Sequence, residues 1–208
     1  MSKEYGKSKG LRLNYSIIEG IIEGGAKVLD LGCGDGTLLK QLVDRKNIQG
    51  IGIEIDQESV ISAIEKGLSV IQGNIDDGLK EFADNEYDWV ILNQTVQSTD
   101  KPDYVINEML RVGKKVVVSF PNFAYWKVRF YLMFKGKMPK SKMLPFEWFN
   151  TPNIHLLTIN DFFEFCKKRD INISKAVYMT RAKIRKGILM RSISNFFAEE
   201  VIFVISKD

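Results

Sequence analysis

The sequence lacks any long apolar run. The uninterrupted apolar stretches, such as 116–118 and 201–205, are only a handful of residues long, whereas a helix needs about 20 apolar residues to cross a bilayer. The basic N-terminal segment, 1–11, lacks the apolar core and the small-residue cleavage site of a secretory signal. The sequence therefore predicts a protein without a membrane span that stays in the cytoplasm.

Cysteine and histidine are scarce, with two cysteines and one histidine in 208 residues. Cys33 and Cys166 are far apart in the sequence and form neither a metal-binding pattern nor a disulfide framework, as is typical of a reducing compartment. We expect no metal site.

Acidic residues are missing from two basic stretches, although the net charge is only +4. A solvated surface explains such stretches more often than a nucleic-acid site does, and no RNA-binding motif accompanies them. Nucleic acid is therefore a minor alternative. The basic residues are Lys127, Arg129, Lys135, Lys137, Lys140 and Lys142 in the first stretch and Arg181, Lys183, Arg185, Lys186 and Arg191 in the second.

Short strand-like runs alternate with helical segments over residues 27–120. This order is typical of βαβ units that build a parallel sheet, and it predicts a Rossmann-like, doubly wound α/β fold. The predicted strands are Lys27–Leu31, Gly50–Ile55, Leu68–Gln72, Tyr87–Leu92 and Lys115–Phe120, and the predicted helices are Gly36–Lys46, Glu58–Lys66 and Pro102–Arg111.

The end of the chain departs from this alternation. A predicted helix over 159–169 is followed by two strand candidates, Ser174–Thr180 and Val201–Ser206. We expect them to form a hairpin-like antiparallel pair at one edge of the sheet. The sheet is thus predicted to have seven strands, most of them parallel.

Residues 121–157 are too long for an ordinary connection and too rich in aromatic residues for disorder. We predict a single domain over 1–208, in which 27–120 form a ligand-binding core, 121–157 an insertion, and 158–208 the final helix and edge strands.

A glycine-rich segment, residues 30–36 (DLGCGDG), follows the first predicted strand and opens a helix. Glycines permit positive φ angles and let a ligand approach the backbone, and the helix N-terminus behind them offers free N–H groups and a partial positive charge. The segment therefore predicts a site for a charged ligand.

Two ligand classes compete for this site. A dinucleotide site would show G-x-G-x-x-G/A, but here the third glycine, Gly36, comes one residue early and Thr37 follows it. Asp30 would repel a pyrophosphate but would attract the ammonium or sulfonium group of S-adenosylmethionine. Glu54, at the end of the second strand, is placed to accept hydrogen bonds from ribose hydroxyls in either case. The charge pattern favours S-adenosylmethionine or S-adenosylhomocysteine.

Polar turns follow the third and fourth predicted strands, at the same edge of the sheet. Each turn alone is explained by ordinary loop chemistry, but together with the glycine segment they indicate one crevice. The candidate cofactor-binding residues are Asp30, Gly32, Cys33, Gly34, Asp35, Gly36, Glu54, Ile55, Asn74, Ile75, Asp76 and Asn93.

These features together resemble class I S-adenosylmethionine-dependent methyltransferases over 27–120. The resemblance implies that residues 30–36 hold the methionine portion, Glu54 binds the ribose, and Asn74 and Ile75 contact the adenine. That family has an acid where this sequence has Asn74, so the adenine amino group is expected to meet either the Asn74 amide oxygen or Asp76.

Segments 120–129 (FPNFAYWKVR), 144–156 (LPFEWFNTPNIHL) and 11–15 (LRLNY) closely resemble the MetW family of methionine biosynthesis. The resemblance spans nearly the whole chain. It implies a protein that associates with homoserine O-acyltransferase and supports the acylation step of methionine synthesis. The alternative is a methyltransferase that acts on a small molecule.

No catalytic motif is evident. Asn93 to Val96 lack the Asn/Asp-Pro-Pro-Tyr signature of enzymes that methylate nucleobases or protein amides. His155 is the one candidate for a general base, although a histidine that ties the insertion down by hydrogen bonds is the commoner arrangement. Cys33 is expected to be a packing residue in the glycine turn.

The segment 123–134 is predicted to be helical, with aromatic residues on several faces and Lys127 and Arg129 among them. A surface helix that packs only on a core has one apolar stripe. The wider distribution favours a second covered face, against a partner protein, against a second copy of the chain or as a lid over a bound substrate. The further alternative is that these residues are part of the core. These alternatives stay open.

Overall fold

A computed structural model describes residues 9–141, 144–180, 184–186 and 191–207. Of the basic residues named above, Lys142, Arg181 and Lys183 lie outside the described residues. Within the described ranges, no helix is both long enough and apolar enough to cross a bilayer.

Within the described residues, eight strands form one sheet, in the order β3-β2-β1-β4-β5-β8-β6-β7. Strands β1 to β5 are parallel, whereas β8 pairs antiparallel with β5 and β6, and β7 pairs antiparallel with β6. The strands are β1 (Lys27–Leu31), β2 (Gln49–Glu54), β3 (Ser69–Gln72), β4 (Tyr87–Asn93), β5 (Gly113–Pro121), β6 (Asn172–Met179), β7 (Ile184–Lys186) and β8 (Glu200–Ser206).

Seven helices accompany the sheet in the described part of the chain. Local capping sets several of their ends: the Asp56 carboxylate accepts from the Ser59 N–H, and Thr158 and Asp161 form a reciprocal capping box. The helices are α1 (Lys9–Glu19), α2 (Thr37–Lys46), α3 (Gln57–Glu65), α4 (Pro102–Val112), α5 (Trp126–Lys135), α6 (Ile159–Lys168) and α7 (Arg191–Phe197).

The doubly wound, mostly parallel sheet with an antiparallel edge is confirmed, but it has eight strands where seven were predicted. The extra strand, β7, is three residues long, which is shorter than the runs from which strands are recognised in a sequence. The final antiparallel pair exists, although β8 lies inside the sheet between β5 and β6.

Helix α5 begins three residues later than the predicted start at Phe123. The Asn122 side-chain oxygen accepts from the Ala124 N–H at 3.1 Å, and the Tyr125 N–H donates to the Asn122 carbonyl at 3.2 Å. These two bonds close a turn, which delays the helix until Trp126.

Apolar side chains cover both faces of the sheet. On one face, Leu29, Val90 and Val118 pack with α4 and α6, and on the other, Val28 and Ile91 pack with α1 and α2. This double burial is typical of parallel sheets and accounts for their nearly continuous apolar strands.

The fold creates a crevice at the carboxyl end of β1. Leu31 of β1 is in register with Ile53 of β2 on one side and with Leu92 of β4 on the other. Because the chain leaves β1 toward β2 and returns later to β4, this is the point at which the strand order reverses, where open α/β sheets bind ligands.

Candidate functional site

The glycine turn leaves open space in front of its backbone at Gly34. Gly32, Gly34 and Gly36 all have positive φ angles, of 64°, 55° and 70°. A Cβ at Gly36 would lie 2.4 Å from the Leu68 side chain, so that glycine is required by packing, whereas a Cβ at Gly34 would meet no atom within 4 Å. Gly34 is therefore the position at which a ligand can approach the main chain closely.

Asp30 is a buried acid without a hydrogen-bond donor among the described residues. Its side chain is 2% exposed, and no described residue donates a hydrogen bond to it. Burial, reinforced by the nearby charge of Glu54, raises the pKa of Asp30 to about 7. Because a buried charge without a partner is unfavourable, the site favours a ligand that brings a positive group to Asp30.

Glu54 joins the end of β2 to the glycine turn. Its carboxylate accepts hydrogen bonds from the N–H groups of Gly34 at 2.8 Å, Ile55 at 2.9 Å and Asp56 at 3.0 Å. The side chain of Ile55 is 63% exposed directly beside it. The end of β2 thus combines strong acceptors with an uncovered aliphatic surface, which suits the ribose and base of a nucleoside.

Asp35 and Cys33 have local structural partners. The Asp35 carboxylate accepts from the Lys66 ammonium at 2.6 Å and from the Thr37 hydroxyl at 2.7 Å, and these hydrogen bonds lower its pKa against the opposing effect of burial. The Cys33 thiol packs against Gly52, where a Cβ would lie 2.5 Å from the sulfur. Burial, with the charges of Asp30 and Glu54, raises the pKa of Cys33 to about 12. Cys33 is therefore a packing residue and not a thiolate.

The turn after β3 lies next to Glu54, because the Gly73 N–H donates to the Glu54 carbonyl at 3.0 Å. The Asp76 carboxylate accepts from the N–H groups of Asp100 and Lys101 at 3.0 and 2.8 Å and so holds the segment that leads into α4. Asn74 is exposed, and its side-chain oxygen accepts from the Asp76 N–H at 3.0 Å. Asp76 is thus buried and engaged with the main chain, whereas Asn74 is exposed at the edge of the crevice.

Sequence reasoning missed a buried polar network at the carboxyl ends of β4 and β5. Glu200 is 4% exposed and accepts hydrogen bonds from the amides of Gln94, at 2.6 Å, and Asn14. The Ser119 hydroxyl donates to Asn93 at 2.5 Å and accepts from the Gln94 N–H at 3.0 Å. The network thus connects Asn93, a predicted site residue, to the start of β8.

Tyr15 of α1 lies between the glycine turn and this network. Burial raises the pKa of its phenol to about 12, and the charges of Asp30, Asp35 and Glu200 add to the effect. Helix α1 therefore forms part of the crevice wall. The sequence offers two signals of this network. One is the polar pair Asn14 and Tyr15 ahead of the first strand, and the other is the acid Glu200 directly before the apolar run 201–205.

His155 lies at the end of the insertion, near the turn after β4. Its N–H and that of Ile154 donate to the Gln97 carbonyl at 3.0 and 2.8 Å, and its imidazole is exposed. The backbone at His155, rather than its side chain, ties the insertion down. The structure does not bring the imidazole together with Asp30 or Glu54 by any described contact.

We predict that Glu200→Gln flattens the dependence of stability on pH. Burial raises the pKa of Glu200 from 4.5 to about 8, against the opposing effect of its two amide hydrogen bonds. The folded chain therefore keeps a proton that the unfolded chain releases, and stability falls as the pH rises from about 5 to 8. Melting curves of the wild type should shift down by several degrees more than those of Glu200→Gln over this range.

The matched control for this experiment is Glu65→Gln, a change at an exposed acid on α3. This variant should keep the wild-type slope. Parallel pH profiles for the wild type and Glu200→Gln would show that the Glu200 carboxyl does not hold its proton in the fold.

The chain has a Rossmann-like fold, which S-adenosylmethionine-dependent methyltransferases share. One such methyltransferase, from Thermotoga maritima, superposes with a TM-score of 0.68 at 16% identity, over 94% of this chain and 88% of that one. Beyond the fold, the chain belongs to the MetW family of methionine biosynthesis proteins, whose profile matches residues 12–205.

Other solved structures with this fold differ in the activity that their names give. A Haloferax volcanii protein solved with the Trm112 methyltransferase activator has a TM-score of 0.62 at 18% identity, over 97% of this chain and 94% of that one. The [4+2]-cyclase SpnF has a TM-score of 0.65 at 17% identity, over 94% and 80% of the two chains. The fold alone therefore does not specify methyl transfer.

A sequence relative is longer than this chain. The bifunctional methionine biosynthesis protein MetXA/MetW of Rhodopirellula baltica is 38% identical over 172 residues, which are 78% of this chain but only 27% of that protein. The chain thus spans about a quarter of the length of this relative.

Proposed function

We propose that the crevice at the end of β1 binds S-adenosylmethionine or S-adenosylhomocysteine. The observation that carries this proposal is the buried Asp30 carboxylate, which no described residue pairs with, beside the open backbone of Gly34. Asp30 would take the cationic amino-acid portion of the ligand, with Gly32 and Gly34 supplying close backbone approach. When bound, S-adenosylmethionine supplies an activated methyl group.

The nucleoside portion would lie along the ends of β2 and β3. Glu54 would exchange its bonds to main-chain N–H groups for bonds from the ribose hydroxyls, and the uncovered Ile55 side chain would cover one face of the base. Asn74 and Ile75 would contact the edge of the adenine. Asp35 and Cys33 would shape the turn, Asp76 would hold the adjoining segment, and Asn93 would line the far end of the crevice.

We further propose that the chain acts in the cytoplasm with homoserine O-acyltransferase and activates it. Membership of the MetW family supports a role in methionine biosynthesis, and a relative that carries MetXA and MetW in one chain supports physical association of the two proteins. If the nucleoside binds the free chain and the complex with different affinities, it changes the affinity of the chain for the acyltransferase. The acyltransferase then changes the affinity of the chain for the nucleoside by the same factor.

Calorimetry and an acylation assay test this function together. S-adenosylmethionine is titrated into the chain alone and into its mixture with the purified acyltransferase, and acylation of homoserine is measured with and without the chain. We expect binding of the nucleoside and a rate of acylation that rises on addition of the chain without release of S-adenosylhomocysteine. An acyltransferase that neither binds the chain nor responds to it would contradict the proposed partnership.

A small-molecule methyltransferase is the second candidate. The fold favours it, because its structural neighbours include S-adenosylmethionine-dependent methyltransferases. Methyl transfer mainly requires that an acceptor be held in line with the methyl group, so few residues are needed. The candidate general base is His155. Steady release of S-adenosylhomocysteine in the presence of an acceptor would favour this activity.

A further inference from the structure

A large apolar surface lies uncovered on α5 and the segment that follows it. Met133, Phe134, Trp148 and Phe149 each expose more than three fifths of their area. At roughly 150–250 Å² for an aromatic side chain, these four present on the order of 500 Å², which already matches the largest patches of monomeric proteins. We call this the aromatic surface; its further exposed members are Phe130, Tyr131, Leu132 and Met138.

The aromatic surface is held in place by contacts with α7. Val128 is the buried residue of α5, Arg129 lies over the Phe196 ring at 5.6 Å, and the rings of Phe130 and Phe196 are 6.4 Å apart. Phe196 belongs to α7, which leads into β8. Since β4 lies between β1 and β5 in the sheet, this anchorage is two strands away from the glycine turn. The contacts of the described residues thus attach the surface near β5 and β8.

Two cavities divide the aromatic surface into grooves. One, of about 260 Å³, lies between Val128 and Leu144, and the other, of about 480 Å³, lies between Met138 and Trp148. Both cavities share Tyr131 and Lys140 in their walls. Grooves of this kind accept the large side chains that contribute most of the affinity of a protein interface.

The rim of the aromatic surface is basic. Lys140 pairs with Glu147, but no described acidic residue pairs with Lys127, Lys135 or Lys137. A surface that is apolar at its centre and positive at its rim fits a partner that is apolar at its centre and acidic at its rim.

We propose that the aromatic surface is the docking site for the acyltransferase, with apolar side chains of that enzyme in the two grooves and its acidic residues facing the rim. This inference rests on the proposed function. The occupant is chosen because the Rhodopirellula baltica relative, by its name, combines MetXA and MetW in one chain, of which the match with this chain covers 27%. Two proteins joined in one chain are held at a high effective concentration, which favours association. The four most exposed members alone supply on the order of 500 Å² of the roughly 800 Å² that one side of a standard interface buries.

The test measures the affinity of the acyltransferase for the full chain and two substituted chains. Phe134→Ser and Trp148→Ser each remove a side chain that is more than 70% exposed, so the fold should keep its melting temperature. Each substitution is expected to weaken binding of the acyltransferase by at least tenfold. Ile61→Ser on α3, 49% exposed at the opposite end of the sheet, is the matched control and should bind as the wild type does.

A charge variant tests the rim. Lys135→Glu combined with Lys137→Glu should weaken binding of the acyltransferase several-fold at low salt and less at high salt, since charges that are exposed are screened. Binding of S-adenosylhomocysteine is measured for every variant and is expected to be unchanged.

The outcomes separate this inference from the proposed function. If the acyltransferase binds the wild type and all variants equally, the docking site is elsewhere, and the partnership still holds. If the aromatic variants lose S-adenosylhomocysteine affinity instead, the surface closes over the cofactor, and the docking proposal is overturned. It is equally overturned if sedimentation shows a dimer of the chain that Trp148→Ser dissociates, because a second copy then occupies the surface. If the wild type does not bind the acyltransferase at all, both proposals fail.

Discussion

Asp30→Asn is expected to weaken binding of S-adenosylmethionine by at least tenfold at pH 7.5 and to remove the dependence of binding on pH. Burial and the charge of Glu54 raise the pKa of Asp30 to about 7, so its carboxyl group is mostly protonated at pH 5.5. If only the ionised form holds the cationic ligand, the affinity of the wild type should rise up to about twentyfold between pH 5.5 and 7.5. Calorimetry at both pH values measures this.

Asp35→Asn is the matched control for Asp30→Asn. It changes a carboxylate in the same turn, but one that is paired with Lys66 and half exposed. The affinity of Asp35→Asn should stay within a few-fold of the wild type and should keep the rise with pH. Equal affinity of the wild type at the two pH values would show that Asp30 does not meet the positive group of the ligand.

Glu54→Ala is expected to weaken binding of the nucleoside more than tenfold. The substitution removes the acceptor proposed for the ribose hydroxyls, and it also frees the N–H groups of Gly34, Ile55 and Asp56 that the carboxylate now holds. A hydrogen bond to a charged group contributes roughly 1.5–3 kcal/mol, which corresponds to a ten- to hundredfold change in affinity.

Asp56→Ala separates binding from local stability. Asp56 is adjacent in sequence and caps α3 through the Ser59 N–H, so its loss should lower the melting temperature without changing the affinity for S-adenosylhomocysteine. Glu54→Ala with wild-type affinity and an unchanged melting temperature would contradict the assignment of this strand end to the ribose.

The sequence was sufficient to predict the parts of the fold that depend on local patterns. Strands β1 to β5 are short segments with apolar residues that alternate with helical segments along the chain. The glycine turn is recognisable from its composition, because Gly32, Gly34 and Gly36 need positive φ angles. Helix α1 was not predicted, although Asn14 and Ile18 are both buried and are spaced by one helical turn. Because Asn14 is polar, the buried face of α1 does not show the continuous apolar stripe from which a helix is recognised.

The polar network around Glu200 could not be predicted from the sequence. It joins Asn14, Gln94, Ser119 and Glu200, and the bond between Asn14 and Glu200 spans 186 positions. Only the insertion of β8 beside β5 brings these groups together, and strand order of that kind is decided by tertiary packing. For the same reason the engagement of Asp76 with the segment before α4 was not visible, since a carboxylate in a turn gives no sign of its partner 24 residues away.

The most direct measurement is a calorimetric titration of the wild-type chain with S-adenosylhomocysteine and, separately, with NAD. The crevice presents an unpaired carboxylate and exposed main chain to its ligand, so we predict saturable binding of S-adenosylhomocysteine at one site and no heat from NAD, whose diphosphate Asp30 would repel. Binding of NAD with no response to S-adenosylhomocysteine would contradict the account.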